Sequence, residues 1–238
     1  MHSPYGLELV ENCRNCSLRS DGSFCNLSSA PLKALEAIKY TTAYPVGAVL
    51  FMEGQAPRGV LVLCKGRVKL SMTSTEGKTL ILRIIKPGEV LGLHAVVSGT
   101  PYQATAETLE PCQVAFVKRE DFLRFLREHG EASIHAAQQL SGSYQVACEQ
   151  IRSLGLSHSA PEKLAKFLLD WSARGGETKP GTHVKLTLTH EEIGQLIGTS
   201  RETVTRTLGE FKSRQVAALN GSTLVIQNKA ALENFVNS

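Results

Sequence analysis

The sequence predicts an α+β protein built from an N-terminal β-roll of the jelly-roll kind, a long helix, and a C-terminal pair of short helices backed by a hairpin. Three observations carry this. Residues 44–117 are short runs of β-formers punctuated by glycine, residues 119–154 are proline-free and helix-rich in composition, and residues 188–226 hold two capping signals, a glycine turn and an Asn-Gly pair. The chain has 238 residues, 42% hydrophobic and 20% charged, with a mean hydropathy of −0.08, which excludes a disordered or collagen-like chain. That length suits one large domain or two modest ones. The net charge of +4 and pI near 8.7 permit an anionic partner without requiring one.

The runs VGAVLF, GVLVLCKGRVKLSM, TLILRII, GEVLGLHAVV, QATAETL and CQVAFV read as successive strands, and the glycines between them suit corners that need a positive φ. In Gly66-Arg67-Val68-Lys69-Leu70 the alternation puts charge on one face and apolar side chains on the other. A short helix then leads into a long one. Along the long helix Ile134, Ala137, Ser141, Tyr144, Cys148 and Ile151 recur at 3-4-3-4 spacing and form one seam. That seam faces either a second copy of the chain or the protein's own core.

Gly155 and Ser157-His158-Ser159-Ala160-Pro161 read as a hinge. Beyond it, Leu164, Phe167, Leu168 and Trp171 mark a helix closed by Arg174-Gly175-Gly176, and Val184, Leu186 and Leu188 alternate as a strand. The expected division is residues 1–29, a cysteine-containing segment; 30–130, the β-roll; 131–156, the long helix; and 157–238, the C-terminal domain.

The densest signal is LTHEEIGQLIGTSRETVTRTLGEF, residues 188–211. Thr189 with Glu192 forms one capping box and Thr199 with Glu202 a second, around Gly198, so two short helices meet at a tight turn. Ile193, Leu196 and Ile197 face inward on the first helix, and Val204, Leu208 and Phe211 on the second. Arg201, Glu202, Thr205 and Arg206 then share the outer face of the second helix. Arginine can pair bidentately with guanine and glutamate can accept from cytosine N4, each for about 1–3 kcal/mol of discrimination. Ser200 and Thr189, at the helix starts, and Lys212 and Arg214, placed to touch phosphate, complete the candidate DNA-binding residues. Asn220-Gly221 between residues 216–219 and 223–226 predicts a hairpin with positive φ at both turn residues, the wing of a winged helix-turn-helix.

In this order of parts, and above all in Ile193-Gly194-Gln195-Leu196-Ile197-Gly198-Thr199-Ser200-Arg201-Glu202-Thr203-Val204-Thr205-Arg206, the chain resembles the CRP/FNR family of bacterial transcription regulators over essentially its full length. The resemblance implies a cyclic-nucleotide-binding-like β-roll, a dimerisation helix, and Arg201, Glu202 and Arg206 as base readers. It implies a homodimer on pseudo-palindromic double-stranded DNA with GTGA- or TTGA-like half-sites, and RNA polymerase as a further partner. Arg201 is similar to the cAMP-receptor branch, whereas Thr205 stands where the oxygen-sensing branch usually has serine.

The cAMP branch holds its ligand with a Gly-Glu-Leu segment and an Arg-Ser pair. Here those stretches are Gly92-Leu93-His94 and Tyr102-Gln103, so the ribose-binding acid and phosphate-binding arginine are missing and cAMP is not expected. Residues 88–99 look like the oxygen-sensing FNR branch, whose N-terminal cysteines hold an iron-sulfur cluster. Cys13, Cys16 and Cys25 offer thiolates of the type such a cluster requires. The Cys16–Cys25 gap is longer than usual in that branch. Cys112 is the expected fourth ligand, with Cys64 or Cys148 as alternatives, but it lies three positions before Ala115, where the branch carries its own, and an odd offset in a strand turns a side chain to the opposite face. Zinc on the same three cysteines, and plain structural or thiol-redox cysteines, stay open beside the cluster.

The expectation is therefore a regulator and not an enzyme, cytoplasmic, with no segment approaching the roughly 20 apolar residues of a membrane span. Two rivals remain. One keeps the fold but senses a small molecule or haem in the β-roll; the other is a thiol-redox enzyme on Cys13-x-x-Cys16, for which the usual βαβ context is lacking. His94 reads as a surface or packing residue.

Overall fold

The computed structural model describes residues 4–7, 9, 12–14, 16, 18, 24–155, 159–173 and 182–236. The chain divides into two compact units, residues 1–147 and 148–238, with the division inside a helix.

In the first unit a short 3-10 turn, Pro4–Gly6, precedes α1 (Ser29–Ile38) and eight strands: β1 (Lys39–Tyr44), β2 (Val49–Phe51), β3 (Gly59–Lys65), β4 (Val68–Thr73), β5 (Thr79–Ile85), β6 (Val90–Leu91), β7 (Thr105–Thr108) and β8 (Cys112–Lys118). They form two four-stranded sheets, in the orders β1-β8-β3-β6 and β2-β7-β4-β5, which is the jelly roll the glycine-punctuated runs predicted. The charged face at residues 66–70 is tied across strands, Lys69 sitting opposite Glu107 with its Nζ 3.3 Å from the carboxylate.

Three elements differ from expectation. Helix α1 and strand β1 precede the first expected strand; Pro31, Leu32 and Leu35 bury one side of α1. Residues 93–98, expected to continue a strand, form helix α2 (Leu93–Ser98) between Gly92 and Gly99, both left-handed at φ 75 and 74. The apolar run there fits a buried helical turn as well as a strand, and only the flanking glycines tell them apart.

Each buried strand feeds two cores by alternation. Val60 and Val62 of β3 and Ala115 and Val117 of β8 join the core containing Phe24, Leu27 and Phe122, whereas Leu61 and Leu63 and Cys112 and Val114 join the core containing Phe51 and Tyr102. Helices α3 (Arg119–Glu128) and α4 (Gly130–Gly155) follow as expected. Ala132 and Ala136 of α4 lie in the first core. Of the expected hinge, residues 156–158 lie outside the described residues.

The second unit holds α5 (Ala160–Ala173), β9 (Thr182–Lys185), α6 (His190–Ile197), α7 (Arg201–Ser213), β10 (Ala217–Asn220), β11 (Thr223–Ile226) and α8 (Lys229–Val236). Its core is built on Leu164, Leu168, Leu186, Ile193, Val204, Phe211, Leu224 and Leu232, all nearly inaccessible. The sheet order is β10-β11-β9. Strand β9 ends at Lys185, before the alternation through Leu188 does. Residues 174–176, expected to close α5, lie outside the described residues. Among the described residues no helix is long and apolar enough to cross a membrane.

Candidate nucleic-acid interface and thiol pocket

Helix α6 starts on the expected capping box: Thr189 accepts from the Glu192 backbone N–H, and the Glu192 carboxylate accepts from the Thr189 backbone. It ends at Gly198, left-handed at φ 67. Gly194 is what lets the turn close, because a Cβ there would stand 2.8 Å from the Thr199 carbonyl oxygen. The second expected box does not form. The cap of α7 is Ser200, whose hydroxyl accepts from the Thr203 N–H, one residue beyond Thr199. Both residue types cap well, and the αL turn at Gly198 decides which one does.

On α7, Val204, Thr207, Leu208 and Phe211 are buried, while Arg201, Glu202, Thr205 and Arg206 are exposed along one face. The Glu202 carboxyl is held below the usual carboxylate range by hydrogen bonds from its own backbone N–H and the Ser200 hydroxyl, so at neutral pH it is an ionised acceptor. Thr205 donates to the Arg201 carbonyl at 2.9 Å and meets His190 Nδ1 of α6 at 2.9 Å. His190 escaped the sequence reading; it occupies the first position of α6, where no spacing rule points across to α7.

Helix α7 closes in a Schellman motif: Val216 N–H donates to the Phe211 carbonyl and Gln215 N–H to Lys212, with Gln215 at φ 55. Lys212 and Arg214 are exposed, and the Arg214 guanidinium lies 5.7 Å from the Phe235 ring centre. The hairpin turn is shifted by one residue from expectation. Asn220 pairs with Thr223, and the turn is Gly221-Ser222, with Gly221 alone at positive φ (59). A glycine at the first turn position suits a II′ turn, which competes with the I′ turn that Asn-Gly favours.

The seam residues Ile134, Ala137, Ser141, Tyr144, Cys148 and Ile151 are all exposed, Tyr144 at 72% and Ile151 at 70%. The opposite side of α4 grips the β-roll. Gln139 donates to the Val90 carbonyl at 2.6 Å and accepts from its N–H at 2.9 Å, and Arg83 donates to Ser143 Oγ at 2.8 Å while pairing with Glu89.

The positions that the resemblance matches to a cyclic phosphate include Leu93 and Tyr102. Leu93 is buried in the core. Tyr102 stacks on Phe51 at 4.0 Å, donates its hydroxyl to the Gly59 carbonyl at 2.7 Å, and lies against Gly92, where a Cβ would meet its ring. Tyr102 is the residue that the resemblance matches to the phosphate-binding arginine. His94 is exposed, as expected.

Cys13, Cys16 and Cys25 come together at one apolar pocket, joined by Cys64 and Lys39. Phe24, packed on Phe122 at 5.6 Å and Phe125 at 6.3 Å, anchors the strand of chain that carries Cys25. The Cys13 N–H donates to Glu36 at 2.6 Å, and Lys39 Nζ donates to Cys13 Sγ at 2.8 Å. Burial pushes the Cys25 thiol up to about 12 and the Cys64 thiol to about 11. At Lys39 burial is the largest influence and lowers the pKa, but the hydrogen bond to Cys13 and the charge interactions with Cys13, Cys64 and Glu36 together outweigh it and raise it, so the ammonium stays charged. Among the described residues no three His, Cys, Asp or Glu side chains converge on one point as a single ion requires.

Cys112 is not part of this pocket, which corrects its expected place. It lies in the other core, donates to the Arg67 and Glu110 carbonyls, and packs under Gly66, where a Cβ would stand 2.5 Å from its sulfur. Ala115, three residues on, does line the pocket, so the odd offset turned Cys112 away.

Residues 41–129 match the family model described as the cyclic nucleotide-binding domain, and residues 162–235 match the Crp-like helix-turn-helix domain. The chain is similar to a CRP-like cAMP-activated global transcriptional regulator of Mycobacterium tuberculosis, 26% identical over 213 residues, covering 89% of this chain and 94% of that protein. It is also similar to the cAMP-activated global transcriptional regulator CRP of Salmonella typhimurium, 24% identical over 184 residues, 77% of this chain and 87% of the other. Among solved structures, FixK2 from Bradyrhizobium japonicum superposes with a TM-score of 0.72 at 23% identity, covering 83% of this chain and 97% of its own. A CooA variant from Carboxydothermus hydrogenoformans gives 0.74 at 21%, covering 89% and 93%. These two share the fold.

Proposed function

We propose that the chain is a transcription regulator of the CRP/FNR type, a reading supported by the two matched domains, and that it acts as a homodimer on pseudo-palindromic DNA, its first unit controlling binding in response to oxygen or redox state through an iron-sulfur cluster. The observation that carries the DNA-binding reading is the exposed Arg201-Glu202-Thr205-Arg206 face on a helix locked to α6 through Gly194.

In the major groove Arg201 and Arg206 offer bidentate donors to guanine, and ionised Glu202 accepts from cytosine N4. Lys212 and Arg214 carry charge to phosphate, which sets register without reading sequence. Thr189 and Ser200 act first as caps, orienting backbone N–H groups at the helix starts. The exposed apolar seam of α4 supports pairing with a second copy, which would set two recognition helices about one DNA turn apart. RNA polymerase is the further partner in this reading.

Cys13, Cys16 and Cys25 would hold the cluster, and thiols on one apolar pocket fit it in donor type. When bound, the cluster would supply a centre whose state depends on oxidants. The chain's own part is mechanical: the pocket borders the core that contains Ala132 and Ala136 of α4, and Gln139 and Arg83 tie that helix to β5 and β6. A change at the thiols can thus bias how α4 packs, the kind of two-state element coupling requires. Tyr102 at the position matched to the phosphate-binding arginine argues against cAMP as the signal.

The test is selection of binding sites from random DNA. It should return inverted repeats with GTGA- or TTGA-like half-sites centred about one helical turn apart; enrichment without such a core would contradict the assignment.

A further inference from the structure

The pocket holds one thiol more than the N-terminal segment supplies. Along β3, Val60 and Val62 face the core beneath that segment, and Cys64 follows at the same period of two. A register shift between Leu63 and Lys65 against β8 places Cys64 at a bulge, a feature that re-aims a side chain. Its sulfur faces Cys13, Cys16 and Cys25 across the pocket and takes a hydrogen bond from the Ala115 backbone. The four cysteines line one pocket and offer the thiolate donors that an iron-sulfur cluster takes. The Lys39 ammonium at Cys13 supplies positive charge against the negative sulfur such a centre gathers.

We propose that Cys64 is the fourth ligand, so that Cys13, Cys16, Cys25 and Cys64 together hold one iron-sulfur cluster, its last ligand delivered from β3 and not from β8. This rests on the cluster reading above and assigns to it a residue one strand away from where the family resemblance placed it.

The test purifies the full-length protein anaerobically, reconstitutes it with iron and sulfide, and measures iron, acid-labile sulfide, zinc and the visible spectrum for wild type, Cys64→Ala, Cys112→Ala and the double variant Cys64→Ala/Ala115→Cys. Thermal melts confirm that each is folded. Cys64→Ala should lose its iron and sulfide at least tenfold and Cys112→Ala should keep them. The double variant, which returns a thiol to the same pocket from β8, should regain the spectrum. A folded Cys64→Ala protein that keeps its cluster, or a Cys112→Ala protein that loses it, overturns the assignment of Cys64 while leaving a cluster in wild type. Wild type that takes up zinc, or neither metal nor sulfide, overturns the cluster reading itself, and DNA binding measured on the same samples shows whether the regulator assignment survives.

Discussion

At the scale of single residues, the outer face of α7 carries chemistry that packing does not need. Arg206→Ala should cost about 1–3 kcal/mol of affinity for the selected site and relax preference at one base pair, read by anisotropy titration on the site and its single-base variants. Lys212→Ala should weaken all sequences alike. Gln215 sits at φ 55 in the C′ position of a Schellman motif, a conformation that costs a non-glycine residue roughly 1 kcal/mol. Gln215→Gly should therefore raise the melting temperature with DNA affinity unchanged. The thiols carry a pH signature. Cys25 and Cys64 are raised to about 12 and about 11 in the fold, against roughly 8.5 for a free thiol. The fold prefers their neutral forms, so their contribution is complete below about pH 8.5 and is lost as pH climbs toward the folded values. Metal-free wild type should lose melting temperature above about pH 8.5 more steeply than Cys25→Ala/Cys64→Ala. The exposed face of α7 was legible because helical spacing alone puts Arg201, Glu202, Thr205 and Arg206 together. His190 was not, since its contact with Thr205 exists only once α6 and α7 cross.

At the scale of elements, small backbone facts outrank pattern. Gly194→Ala would drive a Cβ to 2.8 Å from a carbonyl oxygen; it should destabilise the second unit by about 1–3 kcal/mol and reduce DNA affinity, seen in a melt and a titration together. The cap of α7 and the turn of the β10–β11 hairpin each sat one residue from where the sequence pointed. In both, neighbouring residues offer similar local chemistry, and the surrounding turn or register chooses. Residues 93–98 show the limit of periodicity, because a short apolar run is equally good as strand or helix. Parity was the most informative element-scale signal. It placed Cys112 and Ala115 on opposite faces of β8, and the same rule places Cys64 beside Val62. What the sequence alone could not supply was which face of β3 lies under the N-terminal segment, because that segment is held there by Phe24 against α3.

For the whole molecule, α4 runs from the unit that holds the thiol pocket into the unit that holds the exposed face of α7. The helix presents Ile134, Tyr144 and Ile151 to solvent in the single chain, so Tyr144→Glu/Ile151→Glu should shift sedimentation from dimer to monomer and abolish binding to the palindrome while a half-site's weak binding persists. The most direct measurement is DNA affinity of the anaerobic, cluster-reconstituted protein before and after exposure to air, wild type beside Cys25→Ala. Affinity that changes at least tenfold in wild type and does not respond in Cys25→Ala is the predicted result; equal affinity in both states of the wild type would contradict control of DNA binding by the thiol pocket.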